Sequence, residues 1–190
     1  MSTTIIENAK RYIEEIFKNN ADGHDAEHSM RVYANAMKLA ERYHECDNEV
    51  VALAALLHDV DDHKLFDTKD NANARAFLTS NDLGEKEIEQ ICVIINGVSF
   101  SKNRGKKPES IEGQIVQDAD RLDAIGAVGI ARTFAYGGKV GRALDDSLQH
   151  FYDKLLLLKD EMNTEEAKKM ALQRHEYIEG FIEEYKTEIR

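Results

Sequence analysis

The chain has 190 residues, 42% of them hydrophobic, and a net charge of −11. It is long enough to bury a core and too apolar to stay disordered, while its charge disfavours a surface built to coat duplex nucleic acid or an anionic membrane. No apolar run reaches the roughly 18 residues of a membrane span, and the stretch MSTTIIENAKRYIEEIF mixes charge into its apolar residues, unlike a signal peptide.

The dominant pattern along the chain is helical. Ile5, Ile6, Ala9, Tyr12, Ile13, Ile16 and Phe17 recur at helical spacing and predict a first amphipathic helix. A second is predicted from near Asp25, its N-cap, toward His44, with Met30, Tyr33, Ala34, Met37 and Ala40 on one face. A third covers roughly 48–60; from Val50 to Leu57 every position is apolar, as expected of a helix buried on all sides. Further helices are expected at 71–80, 85–96, 111–135 with an interruption, and 146–159. The last starts near Thr164, with Ala167, Met170, Ala171, Ile178, Phe181, Ile182 and Tyr185 as its apolar stripe.

Two segments break the periodicity and are expected as loops: SFSKNRGKKPES (99–110), with four basic residues, and YGGKVGRALDD (136–146), with three glycines. Alternating strand patterns are scarce and no linker stands out. The expectation is an all-α fold in one domain over 1–190, with a core at about 20–135 and a C-terminal helical portion at about 146–190. Cys46 and Cys92 lack metal-type spacing and are expected as buried thiols in a reducing cytoplasm.

The chemistry begins at His58-Asp59, directly after the eight apolar residues of the third helix. A carboxylate there is costly unless paired or metal-bound; the plain alternative is that the helix ends at Leu57 and the pair caps it in solvent. His28, in the first turn of the second helix below Val32, Ala36 and Leu39, is either a satisfied core histidine or a ligand. Asp120 lies in QDADRLD (117–123), either a solvated acidic face or part of a site. Together, two imidazoles and two carboxylates from separate helices make a mixed N/O set suited to Mn, Fe, Co, Ni, Zn or Mg. An ion so held can acidify water and polarise a phosphoryl oxygen.

The order His28 … His58-Asp59 … Asp120 resembles the H…HD…D signature of the HD-domain superfamily of metal-dependent phosphohydrolases. The segments GHDAEHSMRV (23–32), ALLHDVDDHK (55–64), QDADRLDAIGAVGIARTFAYGG (117–138), HFYDKLLLLKDEM (150–162) and RHEYIEGF (174–181) resemble a bacterial subgroup of small nucleotide pyrophosphohydrolases. The likeness spans roughly residues 20–185. It implies an HD-type helical bundle with additional C-terminal helices and one divalent ion, Mn2+ foremost, on His28, His58, Asp59 and Asp120. Family context of the A-D-[RK]-L kind selects Asp120 as the last ligand; Asp118 is the near competitor, two residues away and so on a different side of the helix. The resemblance places an acid near the attacking water three residues past the doublet, at Asp62. Many relatives carry Glu there, so Asp61 or a second water is the alternative, and an ordinary solvated helix end is the plain reading of both.

Phosphate binding is inferred from charge alone: an acidic protein handling a polyphosphate needs a local positive wall. The candidates favoured are Arg31, Lys64, Arg121, Lys139, Arg142, His150 and Lys154, with Lys102, Arg104, Lys106 and Lys107 also available. A Gly137-Gly138 turn would bring backbone N–H groups to phosphate beside Lys139 and Arg142; His24 is a further candidate substrate contact. The resulting expectation is hydrolysis of nucleoside triphosphates to monophosphate and pyrophosphate by a monomer or homodimer, without nucleic acid or membrane. An HD-type 5′-nucleotidase or phosphodiesterase is the alternative within enzymes. A non-catalytic helical module binding a nucleotide or partner is the alternative outside them.

Overall fold

The computed structural model describes residues 2–18 and 25–189, and among them ten α-helices, one 3₁₀ segment and no strand. In chain order the helices are α1 (Ser2–Ile16), α2 (Ala26–Ala40), α3 (Asn48–Leu57), α4 (Ala72–Ser80), α5 (Glu85–Val98), α6 (Phe100–Asn103), α7 (Ile111–Asp123), α8 (Gly126–Lys139), α9 (Leu144–Asp153) and α10 (Glu165–Glu188), with the 3₁₀ segment Leu155–Glu161 before the last. No helix among the described residues is long and apolar enough to cross a membrane.

α3 is the axis of the fold. All eight residues from Val50 to Leu57 are buried, and the helix packs against α1, α2, α5 and α7. Each fully buried leucine there contributes about 1.5–3 kcal/mol of transfer free energy. α1 lays Ile5, Ala9 and Ile13 on this core, one turn apart, and Phe17 just past its end is buried with them. α10 closes the far side against α7, α8 and the 3₁₀ segment, burying Ala167, Ala171, Ile178 and Ile182.

Helix starts follow side-chain capping. Asp25 accepts a hydrogen bond from the His28 N–H at 2.8 Å, as its sequence position suggests. Asp47 caps α3, Ser110 caps α7 and Thr164 caps α10 in the same way. His24 lies outside the described residues.

Three elements depart from the sequence reading. The helix expected over 146–159 stops at Asp153, where Lys154 leaves helical geometry (φ −138°, ψ −59°), and a 3₁₀ segment follows. Four consecutive leucines cannot share one α-helical face, whereas a three-residue repeat stacks Leu155 and Leu158 into the core. The expected 136–146 loop is helical at both ends, so Gly137-Gly138 lie inside α8 and form no phosphate-cradling turn. Gly137 is instead a packing glycine: a Cβ there would overlap the Ser147 hydroxyl of α9. The basic 99–110 segment contains the single turn α6. The interruption expected within 111–135 falls at Gly126, whose φ of +75° lets the chain turn from α7 into α8. Cys92 is buried as expected; Cys46 is only partly so.

Candidate metal centre and its cavity

α3 ends at Leu57, but His58 does not cap it in solvent. It continues in helical geometry (φ −61°, ψ −27°) and is buried, with its Nδ1–H donated to the Ala55 carbonyl at 2.8 Å. That bond turns Nε2 toward His28 of α2 and Asp120 of α7. The first turn of α2 brings His28 opposite, its Nδ1 2.8 Å from Asp123 Oδ2 and its Nε2 3.2 Å from His58 Nε2. Both rings are therefore oriented through Nδ1 and present Nε2, the arrangement by which outer carboxylates and carbonyls orient metal-binding histidines.

Two carboxylates complete the group. Asp59 Oδ2 lies 3.5 Å from His28 Nε2 and 3.4 Å from His58 Nε2. Asp120 Oδ1 lies 3.4 Å and 3.8 Å from the same two atoms. A divalent ion with bonds of about 2.0–2.2 Å spaces neighbouring ligands about 2.8–3.6 Å apart, so these separations are at or just beyond the edges of a coordination polyhedron. His28, His58 and Asp120 form a mutually close trio, each offering an atom within 4.8 Å of the others. A mixed N/O set on three rigid elements thus fits a divalent cation.

The charges agree with that geometry. Burial pushes the His58 imidazole down, but Asp59 and Asp120 outweigh it and raise its pKa to about 9. His28 is raised for the same kind of reason, with Asp120, Asp123 and Asp59 overcoming burial. Burial pushes the Asp120 carboxyl up, and the two imidazoles pull it below its ordinary range. Imidazoles and carboxylates so tightly paired make a site in which a metal ion can take a proton's place.

Asp118 belongs elsewhere. Fully buried, it accepts from the Asn163 N–H and side-chain amide and from the Thr164 N–H and hydroxyl, all at 2.8–2.9 Å, and so fastens the start of α10 to α7. Asp61 is likewise engaged: it accepts the Asn73 and Ala74 N–H groups, each at 3.0 Å, and caps α4. Asp62 lines the cavity described next, and its Oδ1 accepts a hydrogen bond from the Lys64 N–H at 2.8 Å.

The group opens into a cavity of about 450 Å³ between the α3 end, α5, α6, α8 and α9. Lys64, Arg142, His150 and Lys154 line it. Burial lowers the Lys154 amine, with Arg132 and Lys64 pushing the same way and Asp120 opposing. Burial, Lys154 and Arg142 together hold His150 below its usual range. The ammonium of Lys154 also stands 5.4 Å over the Phe100 ring.

Three of the seven favoured sequence candidates are not brought there; of the further four, Lys102 lines the cavity and Arg104, Lys106 and Lys107 do not. Arg121 is 1% exposed, donating to the Glu161 carbonyl and pairing with the Glu161 carboxylate at 3.7 Å, so it braces the 3₁₀ segment instead of facing substrate. Arg31 directs its guanidinium to Asp123 at 2.8 Å and 3.2 Å. Lys139 is exposed at the end of α8, outside the cavity lining. Two residues that the sequence reading passed over stand in their place: Arg132, which lines the cavity, and Asp123, 2% exposed, which holds Arg132 at 2.6 Å. Asp123 lies one helical turn past Asp120, a spacing that puts both on one face of α7 and was the available signal.

An all-helical bundle that gathers H, HD and D at the buried ends of its helices defines the HD-domain class, and the HD family model matches residues 25–125. The chain belongs to the HD-domain family. It is 38% identical over 192 residues to the YpgQ protein of Bacillus subtilis strain 168, covering 96% of this chain and 93% of that one. The crystal structure of B. subtilis YpgQ in complex with ADP superposes with a TM-score of 0.84 at 34% identity, covering 98% and 96% of the two chains. An HD-superfamily hydrolase from Bacillus thuringiensis superposes with a TM-score of 0.81 at 41% identity, covering 99% and 98%.

Proposed function

We propose that this protein is a metal-dependent phosphohydrolase that cleaves nucleoside or deoxynucleoside triphosphates to monophosphate and pyrophosphate. The observation that carries the reading is the continuity of the two halves of the site. A ligand set with separations of 3.2–3.8 Å opens directly onto a cavity walled by Lys64, Arg132, Arg142, His150 and Lys154. A cavity of about 450 Å³ falls in the range of small-molecule sites, about 300–1,000 Å³. YpgQ, similar over nearly the whole chain, crystallises with ADP, which supports a nucleotide here.

His28, His58, Asp59 and Asp120 would hold the ion, Mn2+ foremost; bound there, it supplies Lewis acidity toward a phosphoryl oxygen and lowers the pKa of water. The remaining steps fall to the chain's own side chains. Asp62 orients the attacking water; Asp61, with both oxygens committed to α4, holds that turn in place. The cationic wall draws in the phosphates and stabilises charge developing on their oxygens, its charges held in place by the fold before substrate arrives. Attack at the α-phosphorus gives the two stated products.

The test is product analysis. Chelated protein repleted with Mn2+ is incubated with a panel of dNTPs and NTPs, and products are separated by ion exchange. Monophosphate with pyrophosphate is the expected outcome. Orthophosphate release would move the attacked phosphorus and favour a nucleotidase. No turnover by folded protein with any of several metals would overturn the enzymatic reading in favour of a binding module.

A further inference from the structure

We propose that Asp123 is a positioning residue that ties the phosphate-facing wall of the cavity to the metal centre through one oxygen atom. The inference rests on the metal and phosphate roles proposed above. Asp123 Oδ2 is 2.8 Å from His28 Nδ1 and 2.6 Å from Arg132 Nη1. The same oxygen therefore serves a candidate metal ligand on one side and a cavity-lining guanidinium on the other.

A purely structural role would need less. Asp123 is 2% exposed, and a buried carboxylate must be neutralised and hydrogen-bonded. Arg31, which does not line the cavity, already does this, with Nε at 2.8 Å from Oδ1 and Nη2 at 3.2 Å from Oδ2. Arg132 adds a second positive charge, and it reaches the carboxylate from α8, the helix that walls the cavity. A guanidinium is a planar fork whose remaining N–H directions are set once one edge is fixed. By holding Nη1, Asp123 restrains the direction in which Arg132 presents its other N–H groups to an anion. By holding Nδ1, it fixes the tautomer and plane of His28.

Asp123 thus acts on the cation through His28 and on the anion through Arg132. The experiment measures two affinities separately on the full chain: Mn2+ alone by calorimetry, and inorganic pyrophosphate alone in chelator. Asp123→Asn is expected to weaken Mn2+ by about 10- to 100-fold. It is also expected to weaken pyrophosphate by about five- to tenfold. The second result runs against simple charge, since removing a carboxylate near an anion site would by itself tighten binding. Arg132→Gln should weaken pyrophosphate, and adding Asp123→Asn to it should weaken pyrophosphate no further, because the aspartate acts through the arginine.

Tighter pyrophosphate binding in Asp123→Asn would overturn the proposal, as would full additivity in the double variant or a lowered Tm with both affinities unchanged. Should Asp123→Asn not fold, the wild-type protein still decides: adding pyrophosphate to the metal-free chain should move the His28 Nδ1–H resonance, and an unmoved resonance overturns the coupling. Wild-type protein that binds neither Mn2+ nor pyrophosphate would sink the site reading itself. Wild-type protein that binds both, with an Asp123→Asn variant indistinguishable from it, would sink this inference alone.

Discussion

His28 Nε2 and His58 Nε2 stand 3.2 Å apart, with each ring already committed through its other nitrogen. Neither ring can turn away without breaking its Nδ1 bond, so a proton or a metal ion at this point answers to both imidazoles at once. The carboxylates of Asp59 and Asp120 beside them raise the pKa of His58 to about 9 in the metal-free protein, against the cost of burial. Metal binding near neutrality must displace a proton, so Mn2+ affinity should fall about tenfold per pH unit below pH 9. Calorimetry in two buffers of different ionisation enthalpy should show proton release. An affinity flat between pH 6 and pH 9 would contradict it.

The same shift has a stability consequence of fixed sign. A histidine whose folded pKa of about 9 exceeds its unfolded value of about 6.5 adds stability that is full below the lower value. That contribution is lost as pH rises through the higher one. The metal-free protein should therefore lose stability between these limits, and the gain in Tm from Mn2+ should be larger at pH 9 than at pH 6. Thermal melts with and without Mn2+ at the two pH values check this.

Asp118 and Asp120, two residues apart on α7, should separate cleanly under substitution. Asp118→Asn turns an amide toward the donors of Asn163 and Thr164 and should cost about 2–3 kcal/mol. Turnover per folded molecule should stay near wild type. Asp120→Asn should lower Tm less than Asp118→Asn does in the metal-free protein, while weakening Mn2+ binding and turnover by at least about tenfold. Melting curves alongside initial rates distinguish the two, and the reverse pattern would exchange their roles.

Lys154 is a half-buried amine at the cavity wall whose pKa is lowered first by desolvation. Lys154→Met keeps the aliphatic stem and removes that desolvation cost. Tm should hold or rise while KM for the nucleotide rises about tenfold, the loss of roughly 1.4 kcal/mol of binding. An unchanged KM would place Lys154 outside the phosphate path.

Gly137 tests the packing of α8 on α9. Gly137→Ala places a methyl group on the Ser147 hydroxyl and should destabilise by about 1–3 kcal/mol through overpacking. Ser147→Ala in the same chain should restore most of the loss, which chemical denaturation can measure.

Much of the fold was legible because helical periodicity is a local signal. The eight apolar residues of α3 announced a central helix, and Asp25 and Thr164 marked starts that the structure caps as expected. What failed was non-local. Gly137-Gly138 reads as a turn by propensity, yet close approach of Ser147 on α9 makes glycine the residue that fits inside a helix. The leucines at 155–158 read as α-helix, yet packing on the core selects a 3₁₀ repeat. The basic residues show the same limit. Charge names candidates, but only the fold shows that Arg121 turns inward to Glu161 while Arg132, unremarkable in sequence, lines the cavity. Asp123 belongs to no motif, and only its spacing of one turn from Asp120 on α7 pointed to it.

The most direct test titrates Mn2+ into chelated protein and follows bound metal and nucleotide turnover together. Turnover should rise in proportion to bound metal and level off at one equivalent, and His58→Ala should lose both binding and turnover. Full turnover by the chelated protein, or wild-type turnover by His58→Ala after repletion, would contradict a metal centre at these four side chains.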